Sequence, residues 1–197
     1  MADVELKRTF EEDLARAVAF HGHLCAGQVI GTRMSRAAMR HFGIEDADTY
    51  RDLVAFVECD RCLADAVISV ANCHLGRRRL KWYDYGIMAA SFCDLASGHA
   101  IRITQRRDVP HAPRDKDEML AFFAGLSDDE LFQVNEVELP DFMEYDLPGK
   151  PRKTEVCESC GERIHDGRGV VRDGHVYCKR CAGEHVYYRL GQEIRLG

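Results

Sequence analysis

No stretch of this 197-residue chain approaches the run of about 18 apolar residues that a membrane-crossing helix needs. The first twenty residues, MADVELKRTFEEDLARAVAF, are charged and amphipathic, and they lack the apolar core of a secretory signal. Positive charge is short as well: the net charge is -6, which speaks against a surface built to coat DNA or RNA. No internal repeat and no low-complexity tract is present. Nine cysteines without a secretory leader point to a reducing, cytoplasmic setting. There, clustered cysteines are metal ligands or reactive thiols, and an odd number fits poorly with a fully paired disulfide framework.

What is there has the balance of a globular protein, with 46% hydrophobic and 30% charged residues. The length suits one ordinary domain plus a small module. Phe10 to Phe20 repeats at helical spacing, and Thr9 with Glu12 has the form of a capping box. Ala26 to Phe42 reads as a second helix stopped by Gly43. Leu53 to Cys59 is a β-rich buried run, followed by a helix from Arg61 to Asn72. Leu80–Tyr83 and Ile87–Cys93 read as a hairpin around Asp84-Tyr85-Gly86. Ala100–Thr104 and Val134–Leu139 read as further strands, and Asp115–Gly125 and Ser127–Phe132 as helices. The expected class is α+β with an antiparallel-containing sheet. The Pro- and charge-rich stretch 140–154 is the best linker, which divides the chain into 1–145 and 146–197.

The second part carries Cys157, Cys160, Cys178 and Cys181, two C-x2-C pairs separated by seventeen residues. That spacing is a strong zinc signal. Each pair presents two sulfurs on a tight turn, Gly161 permits a left-handed residue, and Asp173-Gly174 supplies a hairpin turn between Val170-Val171 and Val176-Tyr177. Four thiolates close the metal shell, so the expected zinc is structural and supplies folding energy to a module too small for its own core.

A second group is His21, His23 and Cys25 in FHGHLCAG. Extended, all three side chains share one side; in a helix, His21 and Cys25 still share a face. Further on, Cys62, Asp65, Ser69 and Cys73 fall on one face of the expected helix, a polar stripe where a core helix carries Leu or Ile. Imidazole and thiolate together suit zinc and other late transition metals. The alternative is that these cysteines are small buried hydrophobes and His21 a hydrogen-bonded core residue. His74 adjoins Cys73 as a minor candidate. Arg77, Arg78, Arg79 and Lys81 read as a solvated loop or an anion receiver.

Phe20 to Gly27, with Gly31-Thr32-Arg33-Met34 after it, resembles the opening motif of the FmdE-like family, named for a component of formylmethanofuran dehydrogenase. Glu58 to Val67 and Asn72 to Gly76 look like its second block, and Asp84-Tyr85-Gly86 like its third. The four-cysteine module is similar to a zinc-finger tail found on some members. The resemblance implies a homodimer with a His/Cys metal cleft near the subunit interface. It carries over His21, His23, Cys25, Cys62 and Cys73 as metal ligands, with Cys62 and Asp65 as candidates for catalytic roles. Ala26, Asn72 and Ile87 stand where members usually have Pro, Gly and Lys. The implied function is a metal-dependent enzyme, or an accessory subunit of an oxidoreductase complex of the formylmethanofuran dehydrogenase type, acting on a small molecule in anaerobic one-carbon or redox metabolism. Two other functions stand beside it. One is a regulatory protein whose zinc module contacts a protein or nucleic acid; the other is a thiol-based activity at Cys25 or Cys62.

Overall fold

The computed structural model describes residues 4–140, 142, 146–192 and 194. Residues 1–3 of the amphipathic N-terminus and residues 141 and 143–145 of the expected linker lie outside that range. The chain forms two compact units, 1–148 and 149–197.

The larger unit begins with α1 (Phe10–His21) and α2 (Ala26–His41). Thr9 and Glu12 close the expected capping box on α1. Strand β1 (Leu53–Val57) and helix α3 (Cys62–Val70) follow, then β2 (Leu80–Trp82), β3 (Ala89–Asp94) and β4 (Ala100–Gln105). Helices α4 (Lys116–Ala124) and α5 (Asp128–Leu131) lead into β5 (Phe132–Glu136), which starts two residues earlier than its sequence pattern suggests.

These strands make one mixed sheet in the order β2-β1-β3-β4-β5. The expected hairpin between β2 and β3 does not form. β1 lies between them, parallel to β2 and antiparallel to β3. The physical reason is that β1 is buried on both faces and needs a hydrogen-bonded neighbour at each edge. The Asp84-Tyr85-Gly86 segment instead crosses the end of β1, where the Tyr85 and Ile87 amides donate to the Glu58 carbonyl.

The two faces of the sheet are covered differently. Leu53, Ala55 and Val57 face the helices with Val29, Met34, Leu63, Val67 and Phe123. Val54 and Phe56 face the other way, against Cys93, Ala100 and Phe142. Asp13, buried in α1, accepts from Arg8 at 2.6 Å and from Arg36 of α2 at 2.5 Å, a charged tie between the first two helices. Of the basic run 77–81, Arg77 is exposed but the other three cations are engaged. Arg79 is buried and donates to the Leu53 and Tyr50 carbonyls, while Arg78 and Lys81 pair with Asp146 at 2.6 and 2.8 Å. No helix among the described residues is long and apolar enough to cross a membrane.

The tightest contact joins α2 to α3. A Cβ on Gly27 would stand 2.7 Å from Cys62 Cβ, and one on Gly31 would stand 2.6 Å from Ala66 Cβ and 3.0 Å from the Leu63 carbonyl. Only glycine permits that approach.

The smaller unit holds two short hairpins, β6 (Thr154–Val156) with β7 (Arg163–His165), and β8 (Val170–Arg172) with β9 (His175–Tyr177). Asp173 and Gly174 take φ of 50° and 83° in the second turn, the left-handed pair that Asp-Gly favours.

Two expectations follow. Gly31→Ala should lower the urea unfolding free energy by about 1–3 kcal/mol through overpacking. Helix propensity alone would raise it by up to about 1 kcal/mol, so the sign of the change reads the close approach. The second concerns alkaline pH. The hydrogen bond from Tyr50 Oη to Asp94 (2.5 Å), and then burial, push the Tyr50 phenol from 10 up to about 12. Burial pushes the Cys93 thiol up from 9 to about 11 and Cys73 to about 12. Raised folded values mean stability that is complete below the unfolded values and lost as pH rises through the folded ones. Denaturation curves should therefore show stability falling across about pH 9–12. Tyr50→Phe should flatten the part of that fall above pH 10.

Candidate metal centre

The motif His21-Gly22-His23-Leu24-Cys25 is not one strand or one helix. It is the corner between α1 and α2. His21 is the last residue of α1, and Gly22 ends that helix at φ 96° with its amide on the Val18 carbonyl at 2.8 Å. Cys25 is extended, and its carbonyl accepts from Gln28 and Val29 to start α2. The turn brings the His21 and His23 rings to 4.5 Å between centroids. One ligand atom from each of His21, His23 and Cys25 lies within 4.8 Å of the others.

α3 completes the surroundings. His21 Nδ1 is 2.8 Å from Asp65 Oδ2, a carboxylate–imidazole pair. With Nδ1 engaged, Nε2 is the remaining nitrogen of the ring. It is buried and has no hydrogen-bond partner. Buried imidazole nitrogens are rarely left so. A metal ligand held through its second nitrogen by a carboxylate has this arrangement. Cys62, at the start of α3, has its thiol pushed up first by burial and next by its hydrogen bond with Cys25. So the corner and the α3 start gather His21, His23, Cys25, Cys62 and Asp65. Mixed imidazole and thiol donors suit zinc and its neighbours in the transition series.

Cys73 is not brought to this group. α3 stops at Val70, Asn72 turns the chain at φ 53°, and Cys73 is fully buried with its sulfur towards the Leu53 and Ala71 carbonyls. The expected stripe of Cys62, Asp65, Ser69 and Cys73 therefore ends early, because the helix it needs ends early. Ser69 bonds back to the Asp65 and Ala66 carbonyls. His74 pairs with the Asn72 side chain at 2.9 Å. Burial, then the nearby Arg77, Arg16 and Arg79, lower its pKa.

Gln28 escaped the sequence reading. It is fully buried and donates to the Cys62 carbonyl at 2.6 Å, which ties the start of α3 to the first turn of α2. The available signal was its place between Gly27 and Gly31, four residues apart on one helical face.

In the smaller unit, Cys157, Cys160, Cys178 and Cys181 gather with all four sulfurs within 4.8 Å of one another. Both knuckles repeat one design, with Gly161 N–H on the Cys157 carbonyl and Ala182 N–H on the Cys178 carbonyl, each at 2.9 Å. Gly161 has φ 75°, the left-handed turn its position called for. Backbone amides, that of Cys178 foremost, hold the Cys157 thiol down to about 6, favouring the thiolate that zinc binds.

Comparison with known proteins places both parts. Residues 151–187 match the prokaryotic dksA/traR C4-type zinc finger, which makes the four cysteines a structural zinc cluster. A crystal structure of a tungsten formylmethanofuran dehydrogenase FmdE-like protein from Syntrophus aciditrophicus superposes with a TM-score of 0.57. It is 22% identical, covering 93% of this chain and 97% of that one, and so shares the fold. A protein of Archaeoglobus fulgidus described as a probable S-adenosyl-L-methionine-binding protein is 29% identical over 92% of this chain. The match spans 55% of that protein's length. Residues 20–144 match the model of FmdE, molybdenum formylmethanofuran dehydrogenase operon, from the His/Cys corner to beyond the last strand of the larger unit. The chain belongs to the FmdE family.

Proposed function

We propose that the corner of His21, His23 and Cys25, with Cys62 beside it, holds a transition metal such as zinc, and that the protein acts on a small molecule there. The reaction class this fits is anaerobic one-carbon or redox metabolism, either as a metal-dependent enzyme or as an accessory subunit of a formylmethanofuran dehydrogenase-type complex. The observation that carries the proposal is the buried, unpartnered Nε2 of His21. When bound, the metal would supply a Lewis acid with positions left open for a ligand. The chain's own residues do the rest. Asp65 fixes the His21 tautomer and is the group best placed to hold a proton beside the site. Gln28 and the two glycines keep Cys62 against the corner. A thiol-based reaction at Cys62 is a poorer fit, since burial and Cys25 raise its pKa and disfavour the thiolate.

Homodimer formation belongs to the same proposal. It is supported by the exposed run of Trp82, Tyr83, Tyr85 and Ile87 beside the edge strand β2. A second reading, in which the zinc module contacts a partner, rests on charge. Residues 149–197 carry ten basic side chains against seven acidic ones, in a chain whose net charge is -6. The module is therefore the basic part of an acidic protein and suits an acidic partner.

Elemental analysis of the purified chain should give two metals per chain. His21→Ala with Cys25→Ala should leave one, and Cys157→Ser with Cys160→Ser should leave the other. A single zinc that survives the first double substitution sinks the proposal. Asp65→Asn should keep the ligands but weaken the metal by about 10–100-fold in chelator competition, because it removes the group that orients His21.

A further inference from the structure

We infer that the larger unit has a second binding site, for a small organic oxyanion, in a cavity between the end of β4 and the loop that follows it. The cavity measures about 530 Å³ and is lined by Arg102, Arg106, Arg107 and His111 on one side and by Ile87 and Met88 on another. None of its lining residues is acidic.

The charges differ in how far they are already satisfied. Arg102 is neutralised by a two-pronged pair with Glu58, at 2.6 and 2.7 Å. Arg106 spends only its Nε, on the Asp129 carbonyl at 2.7 Å, and has no carboxylate partner among the described residues. Arg107 and His111 have no hydrogen-bond or ion-pair partner among them. Two guanidiniums without counter-charge therefore face one concave space. Guanidinium forks suit carboxylate or phosphate oxygens. Ile87 and Met88 offer an apolar wall for a short carbon body. The volume suits a small molecule, and the chain's net charge of -6 repels long polyanions.

The site is independent of the His/Cys corner in its residues but is carried by the same end of the sheet. Glu58, which locks Arg102, lies in the connection from β1 to Cys62, and Met88 Sδ is 3.7 Å from Cys59 Sγ in that connection. Arg102, held in place by Glu58, lines the cavity, and Arg106 and Arg107 are the groups that bind.

The test is calorimetric titration of the full chain with inorganic phosphate and, separately, with butyrate, at constant ionic strength set with chloride. One-to-one binding of either probe is expected, and the probe preferred tells phosphate from carboxylate. Arg107→Ala, at an exposed residue with no partner, should weaken binding about tenfold, and Arg106→Ala with Arg107→Ala further still. Arg51→Ala removes the same charge at an exposed position outside the cavity and should leave binding unchanged. The inference is overturned if neither probe binds. It is equally overturned if the double variant, shown folded by circular dichroism, binds like the parent, or if Arg51→Ala weakens binding as much as Arg107→Ala.

Discussion

The arrangement of the larger unit depends on the backbone contact between α2 and α3. Helices packed through ordinary side chains sit about 8–10 Å apart. Gly27 and Gly31 remove the side chains that would enforce that distance, and Cys62 and Ala66 fill the space. The close approach sets the start of α3 against the start of α2. Cys25 and Cys62 then face one another, and Asp65, one turn along α3, reaches His21 across the corner. Gln28 locks the register by holding the Cys62 carbonyl. A wider spacing would leave the same residues in the same order without a site.

The two sulfur-containing groups of this chain follow opposite logics. The C-terminal cluster has four thiol donors on two matching knuckles, with backbone amides stabilising the charge on Cys157. It is closed, and its work is to hold together hairpins whose strands are three residues long. The N-terminal corner has unlike donors, a carboxylate behind one of them, and one exposed imidazole. That asymmetry suits a site meant to admit something else.

Much of this was legible in the chain. Local signals were the reliable ones. Thr9 with Glu12, Gly43, Gly161 and Asp173-Gly174 all act within a few residues and appear where the pattern placed them. The four-cysteine spacing is of the same kind, because each knuckle is a local turn. The misreadings came where long-range pairing decides. The segments 80–83 and 87–93 look like a hairpin, yet a buried strand from earlier in the chain takes the place between them. The helix 62–70 ends before Cys73 because Asn72 turns into the left-handed region, and a polar stripe drawn on ideal periodicity ran past that end. Arg78 and Arg79 looked solvated because their partners, Leu53, Tyr50 and Asp146, lie far away in sequence.

The sequence by itself determined the zinc module, the family motif and the donor types of the corner, since each is a matter of chemistry at short spacing. Only the tertiary structure decided which donors meet. It joined Asp65 to His21, set Cys62 beside Cys25, sent Cys73 into the core and left His21 Nε2 buried without a partner. The reason is that spacing along a chain constrains a side chain's direction only within its own element. Contact between elements is set by which surfaces can approach, and here two glycines set that distance.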